Sequence, residues 1–228
     1  MRRVIMIQRL KEIRAVLFDM DGVIFDTERL AYQGWMESGR LLGFPITDEQ
    51  INKNRGCDIR AGRMLFKGWF GEDFPFDEAR KLRTGYMDTY IARNGAPLKP
   101  GVRELFATLR KAGIKKALAT STQRETAKEY FKSADLPFDF DASVCGTEIR
   151  NSKPAPDVFL TAAEILGEKP EHCLVVEDSP NGVRAGIAAG CTVIMVPDMT
   201  APDEEMKRLC FRILDSLSEL DEWIKTLA

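Results

Sequence analysis

The chain has 228 residues, long enough for one large domain or for a core carrying a second, inserted one. Hydrophobic residues make up 44% and charged residues 30%, the balance of an ordinary globular chain, and a net charge of −2 excludes any global attraction to nucleic acid or anionic lipid. A phosphate group bound by this protein must be held locally, by a few placed side chains.

In chain order, the two arginines of MRRVIMIQRLKEIR suggest a targeting segment, but the apolar piece VIMI (residues 4–7) is too short for a signal-peptide core and no small-residue cleavage site follows. No other stretch approaches the ~18 apolar residues of a membrane span. The expectation is a cytoplasmic protein. The first strand is expected at AVLFDM (residues 15–20), and it runs into Asp19 and Asp21, with Gly22 next to permit a sharp turn. Side chains alternate along an extended chain, so the two carboxylates share one side and repel unless something compensates them.

Residues 29–96 read differently from what surrounds them, helical and poor in strands. Leu82, Tyr86 and Tyr90 recur every fourth residue and are expected to face that segment's core, and GWFGEDFPF (residues 68–76) is a breaker-rich joint. Hinges are expected at Thr27 to Leu30 and at Asn94 to Lys99, the second carrying Gly95 and Pro97. A helix then runs from Pro100 to Gly113 with Val102, Leu105, Phe106 and Leu109 on one face. Four more strands follow: KKALAT (115–120), ASVCG (142–146), CLVVED (173–178) and TVIMV (192–196). Helices are expected in PDVFLTAAEILG, GVRAGIAAG and the closing LSELDEWIKTLA. Most strands are continuously apolar, the mark of parallel strands covered on both faces. The expected fold is therefore α/β: a Rossmann-like parallel sheet core built from residues 1–28 and 97–228, interrupted by an α-helical insertion at 29–96.

The five cysteines (Cys57, Cys145, Cys173, Cys191, Cys210) are scattered, without C-x-x-C spacing, and read as reduced thiols. With His172 as the sole imidazole, expected on a surface loop, a Cys–His mechanism is disfavoured. Polar groups of another kind end the apolar runs: Asp19 and Asp21 after AVLF, Thr120 and Ser121 after KALA, Lys153 in NSKPAPD, and Glu177 and Asp178 after LVV. In an open parallel sheet the carboxyl ends of the strands line one edge, where ligands bind, so these groups can converge. Four carboxylates brought together require a cation, and oxygen ligands without imidazole or thiolate favour Mg²⁺ over zinc. The ammonium of Lys153 and the hydroxyl of Thr120 then suit a phosphoryl group in transit, one carboxylate attacking phosphorus while its neighbour handles the proton. Taken singly, each stretch is a turn, a loop or a helix cap. Their joint occurrence, in order and on strand ends, is the signal.

DMDGVIFDTE, the threonine of ALATST, the lysine of SKPAPD and the acidic pair of VVEDSPNGVRAG resemble the four signature motifs of the haloacid dehalogenase superfamily, in the right order and over nearly the whole chain. The helical insertion matches that superfamily's C1 cap, and the likeness is greatest to the β-phosphoglucomutase-like subfamily and related sugar-phosphate phosphatases. The resemblance implies that Asp19 is the nucleophile that becomes an aspartyl phosphate, and that Asp21 is the acid toward the leaving oxygen and then the base for water. It further implies that Thr120 and Ser121 bind phosphoryl oxygens and that Lys153 bridges Asp19 and the phosphate. Mg²⁺ would be held by Asp19, Asp178 and the main-chain carbonyl of Asp21, with Glu177 as a further ligand or one layer behind. Substrate contacts from the cap are expected around RGCDIRAGR, with Arg55 and Arg60 as candidates. True dehalogenases of the superfamily lack the second aspartate of the first motif, so Asp21 points to phosphoryl chemistry. The hinge histidine of β-phosphoglucomutases corresponds to Ala31 here. The expected protein is thus a monomeric Mg²⁺-dependent phosphatase for a small phosphorylated metabolite, a sugar phosphate or nucleoside monophosphate, with a sugar-phosphate mutase as the alternative. Neither nucleic acid nor membrane is expected as a partner.

Overall fold

The computed structural model describes residues 12–226 apart from 56 and 58, so VIMI and two positions of RGCDIRAGR lie outside the described residues. The chain divides into two compact units: Thr27–Ala96, and the residues on either side of it taken together. The larger unit is built on a six-stranded sheet, β1 (Ala15–Phe18), β2 (Lys115–Thr120), β3 (Ala142–Cys145), β4 (Cys173–Glu177), β5 (Thr192–Met195) and β6 (Arg212–Ile213), in the order β3-β2-β1-β4-β5-β6. All its pairings are parallel. This is the Rossmann-like parallel core toward which the apolar runs point, and β1 shows why they read continuously. Ala15 and Leu17 join a core cluster with Val158, Phe159 and Ala162 of one helix and Val183 of another, whereas Phe18 packs on Phe106 at 5.3 Å. Alternate residues of the strand are thus buried by helices on opposite faces.

The structure shortens the first strand and adds a sixth. β1 ends at Phe18, because the Met20 carbonyl is taken by the N–H groups of Ile24 and Phe25, which turns the chain back on itself. Asp19 and Asp21 therefore do not alternate along an extended segment, and what places them is this turn. β6 has only two residues, too few to leave a periodicity. Phe25, fully buried, anchors the turn by meeting Phe131 edge-on at 5.0 Å and Tyr130 at 5.9 Å, and Phe131 in turn contacts Phe138 and Phe140.

The smaller unit holds α1 (Thr27–Leu42), α2 (Asp48–Asn54), α3 (Ile59–Phe70) and α4 (Phe76–Asn94). Its core is aromatic: Trp35 stacks on Phe66 at 4.7 Å, and Phe66 on Phe74 at 5.2 Å. The buried residues of α4 are Phe76, Ala79, Met87 and Ile91, whereas Leu82, Tyr86 and Tyr90 are only half-buried and line an open cleft of about 990 Å³. This corrects the expectation that they form the core. Their stripe lies beside the buried arc, and the arc is selected by close packing on α1, where a Cβ on Gly34 would stand 2.8 Å from the Arg83 carbonyl oxygen. The remaining helices, all in the larger unit, are α5 (Val102–Ala112), α6 (Arg124–Ser133), α7 (Asp157–Leu166), α8 (Pro180–Ala188), α9 (Glu204–Leu209) and α10 (Leu217–Lys225). No helix among the described residues is long and apolar enough to cross a membrane.

Truncating Phe131 to Ala should open a cavity under Phe25 and lower unfolding free energy by about 3–5 kcal/mol. Urea denaturation followed by circular dichroism measures this, and a loss below about 1 kcal/mol would show that the aromatic cluster does not clamp the turn.

Candidate active site

The site is assembled by the three central strands. Leu118 of β2, Phe18 of β1 and Val176 of β4 stand in register, so the residues just beyond them emerge side by side, with strands about 4.8 Å apart. Those residues are Thr120, Asp19, and the pair Glu177 and Asp178, all buried. The Asp19 N–H still donates to the Val176 carbonyl at 3.0 Å, which holds the first carboxylate at the strand edge.

Lys153, from the loop that precedes α7, ties these ends together. Its Nζ donates to Asp19 Oδ1, to Glu177 Oε1 at 2.7 Å and to the main-chain oxygen of Ala119 at 3.1 Å, and it lies 5.0 Å from the centre of the Phe159 ring. Glu177 is fully engaged: Oε2 accepts from the N–H groups of Asp178 and Ser179 and from the Ser179 hydroxyl. The Ser179 hydroxyl also caps α8 by accepting from Gly182 N–H, and a Cβ on Gly182 would fall 1.8 Å from the Glu177 carboxyl carbon. Glu177 thus stands as the anchor of Lys153, packed against Gly182.

Asp19 is less well compensated. Burial pushes its carboxyl up from an ordinary 3.8 to about 7; Lys153 opposes the rise, while the charges of Glu177 and Asp21 add to it. Lys153 itself is held protonated, its value raised by the two carboxylates in spite of burial. Asp21 lies one turn further on, where its Oδ2 accepts from the Thr122 hydroxyl at 2.6 Å, and Thr122 N–H donates to Thr120 Oγ1 at 3.0 Å. Gly22, at φ +81°, brings the same turn against Asp178, since a Cβ there would lie 2.2 Å from Asp178 Oδ2.

These donors fit a magnesium ion. The centre has four carboxylates and one ammonium, and Asp19 is already pushed toward protonation, so a divalent cation would supply the missing positive charge. Among the described residues no three acidic, histidine or cysteine side chains form a metal cluster by themselves. Magnesium does not need one, since it is commonly held by one or two carboxylates, with water and phosphate oxygens completing the shell. Asp19 and Asp178, with the Asp21 carbonyl, make such a set.

The other expected site residues are spread more widely. Ser121 is exposed beside Thr120. Arg55 and Arg60 belong to the helical unit, where Arg55 pairs with Glu28 at 3.5 Å and Arg60 is exposed in the first turn of α3. Two positions in contact with these side chains escaped the sequence reading, Thr122 and Gly182. The only signal for the first was a pair of hydroxyl residues two apart in ATST, and none marked the second.

The family model for haloacid dehalogenase-like hydrolases matches residues 13–190. A phosphorylated carbohydrates phosphatase from Thermotoga maritima is 33% identical over 178 residues, 78% of this chain and 82% of the relative. A Drosophila melanogaster protein named as a probable pseudouridine-5′-phosphatase is 33% identical over 221 residues, 92% of each chain. A solved structure from Thermotoga maritima, named as a candidate beta-phosphoglucomutase, superposes with a TM-score of 0.78 at 28% identity, over 95% of this chain and 100% of that one. The chain belongs to the haloacid dehalogenase-like hydrolases.

The environment of Asp19 sets a pH dependence for the metal-free protein. Between about pH 4 and 7 the folded protein keeps a proton on Asp19 that the unfolded chain has lost, so stability should fall as pH rises through that window. The Asp19→Asn variant cannot ionise there and should lose this component of the pH profile, a difference of a few kcal/mol. Urea midpoints in the presence of chelator at pH 5 and pH 8 measure it, and identical profiles for the two proteins would show that Asp19 is not held near neutrality by burial.

Proposed function

We propose that this hydrolase is a Mg²⁺-dependent phosphatase that cleaves a small phosphorylated metabolite, a sugar phosphate or nucleoside monophosphate, by way of an aspartyl phosphate on Asp19. The observation that carries the reading is the buried contact of Lys153 Nζ with Asp19 Oδ1 at the carboxyl edge of the sheet, with a second carboxylate, Asp21, on the adjoining turn. The names of the phosphatases to which the chain is similar, acting on phosphorylated carbohydrates and pseudouridine 5′-phosphate, support the substrate class.

An Asp19 oxygen attacks phosphorus, and the leaving oxygen takes a proton from Asp21 as its bond to phosphorus breaks. The Thr120 hydroxyl and the Ser121 main-chain N–H donate to the phosphoryl oxygens, while Lys153 keeps one positive charge against both nucleophile and phosphate. Asp21, now a carboxylate, removes a proton from water as that water attacks the aspartyl phosphate and releases Asp19 and inorganic phosphate. Asp19, Asp178 and the Asp21 carbonyl would hold Mg²⁺, which when bound would neutralise phosphoryl charge. Hydrolysis is favoured over transfer within a sugar by Ala31, buried in α1 at the position where the mutases resembled carry a histidine. A methyl group cannot sense a sugar hydroxyl, so nothing at that position restrains Asp21 from activating water.

Asp19→Asn should fold but retain less than about one hundredth of wild-type phosphate release, because an amide is a poor nucleophile. Retention of a tenth of the activity by the purified variant would rule out the aspartyl-phosphate route. Exhaustive chelation should likewise stop turnover and Mg²⁺ should restore it; activity indifferent to chelation removes the metal assignment. Supplied with β-glucose 1-phosphate and a trace of the 1,6-bisphosphate, the enzyme should release inorganic phosphate faster than it forms glucose 6-phosphate. In ³¹P NMR, dominance of the 6-phosphate would establish the mutase instead.

A further inference from the structure

We propose that Thr122 is a positioning residue for the acid/base carboxyl, holding one oxygen of Asp21 so that the proton is exchanged through the other. The proposal rests on the phosphatase reading above and deepens it. The contact joins residues 101 positions apart, and at 2.6 Å it is a short hydroxyl-to-carboxylate hydrogen bond. Thr122 is itself fixed from below, because its N–H donates to Thr120 Oγ1 at 3.0 Å and Thr120 closes strand β2. Gln123 and Arg124 then begin α6, so Thr122 sits in a short, doubly anchored turn rather than in a loose loop. Arg124 adds to that rigidity: its guanidinium donates to the Ser143 hydroxyl at 2.6 Å and the Ser143 carbonyl oxygen at 2.8 Å, and pairs with Glu148 at 2.6 Å.

The chemistry gives such a contact a purpose. Asp21 must pass through two states in one turnover, a carboxylic acid that protonates the leaving oxygen and a carboxylate that takes a proton from water. In both states Oδ2 can accept from the Thr122 hydroxyl, as a carbonyl oxygen in the first and as half of a carboxylate in the second. The mobile proton is therefore confined to the other oxygen. One end of the carboxyl is held by this hydrogen bond. When the leaving oxygen departs, the oxygen–phosphorus bond breaks, the Asp21 proton moves to the departing oxygen, and Asp21 is left as carboxylate. When water attacks, its proton returns to Asp21 and the bond from phosphorus to Asp19 breaks. Thr122 neither gains nor loses a proton over the cycle.

A positioning role predicts unequal damage. Loss of the hydroxyl should slow the departure of a poor leaving group, which needs protonation, and spare a good one, which does not. In single-turnover experiments with Mg²⁺, Thr122→Val should phosphorylate roughly 10- to 100-fold more slowly from an alkyl phosphate such as glycerol phosphate, and less than about threefold more slowly from p-nitrophenyl phosphate. The second step, decay of the phosphoenzyme, should slow with both substrates alike, since water must be deprotonated in either case. Thr122→Ser, which restores a hydroxyl at the same place, should recover most of the rate with the alkyl substrate. Equal slowing of phosphorylation by the two leaving groups, or failure of the Ser variant to recover, overturns the proposal, for that is what a general loss of packing would give. If the Asp21→Asn variant, in which water is no longer activated, forms no acid-stable phosphoenzyme from p-nitrophenyl phosphate in rapid-quench samples, the aspartyl-phosphate reading fails, and the role of Thr122 with it.

Discussion

One ammonium group organises this molecule. The Nζ of Lys153 reaches the ends of three neighbouring strands, touching Asp19 after β1, the Ala119 carbonyl in β2 and Glu177 at the end of β4. Taking a lysine and two carboxylates out of water costs several kcal/mol per ion, and the cost is offset only where geometry and additional hydrogen bonds are good. Both are present. Glu177 accepts three further hydrogen bonds from the start of α8, and the aromatic face of Phe159 lies against the ammonium. Without the amine, two buried carboxylates would face one another with nothing between them, so this contact closes the strand edge.

The four carboxylates are identical in kind and unequal in satisfaction, and their roles follow from the inequality. Glu177 has every oxygen engaged and is walled in by Gly182, which makes it a fixed support. Asp19 shares Lys153 with it and is left undercompensated, close to neutral protonation, which is the condition of a group that gains from a cation or a phosphoryl centre. Asp21 accepts from the Thr122 hydroxyl. Asp178 stands at the edge of the turn, against the one residue, Gly22, that has no Cβ to exclude it. A sequence with four acids at strand ends does not say which acid does what; their neighbours do.

Much of this was legible before any coordinates. The sheet could be read because parallel strands buried on both faces leave continuous apolar runs, and the edge because polar residues interrupt the runs at their ends, as Asp19, Thr120 and Glu177 show. What could not be read depended on tertiary contact. Thr122 is an unremarked hydroxyl until the fold carries it 101 positions across to Asp21. The close packing of Glu177 against Gly182 likewise depends on the fold and leaves no mark in the sequence. In α4 the every-fourth-residue stripe of Leu82, Tyr86 and Tyr90 was a real pattern, but the adjoining arc of Phe76, Ala79, Met87 and Ile91 was the one that α1 covered. Periodicity names the candidate faces of a helix, and a neighbour chooses among them.

The turn that carries Asp21 does a second job. It is held by Phe25, clamped between Phe131 and Tyr130, and Gly22 N–H donates to the Phe25 carbonyl at 2.8 Å. Phe25 also bridges to Leu98, Asp26 N–H donates to the Pro97 carbonyl, and Lys99 N–H donates to Ile24. The chain leaving for the helical segment and the chain returning from it are therefore stitched to each other at the very turn that aims the acid/base. The return is pinned further by the ion pair of Lys99 with Asp198, 2.7 Å apart and largely buried. Six residues, Met20 to Phe25, thus share backbone hydrogen bonds with the segment that returns at Pro97 to Lys99. The crowding of that turn against Asp178 is backed from beneath by Phe25 and Phe131, both fully buried, so the surrounding core carries the site.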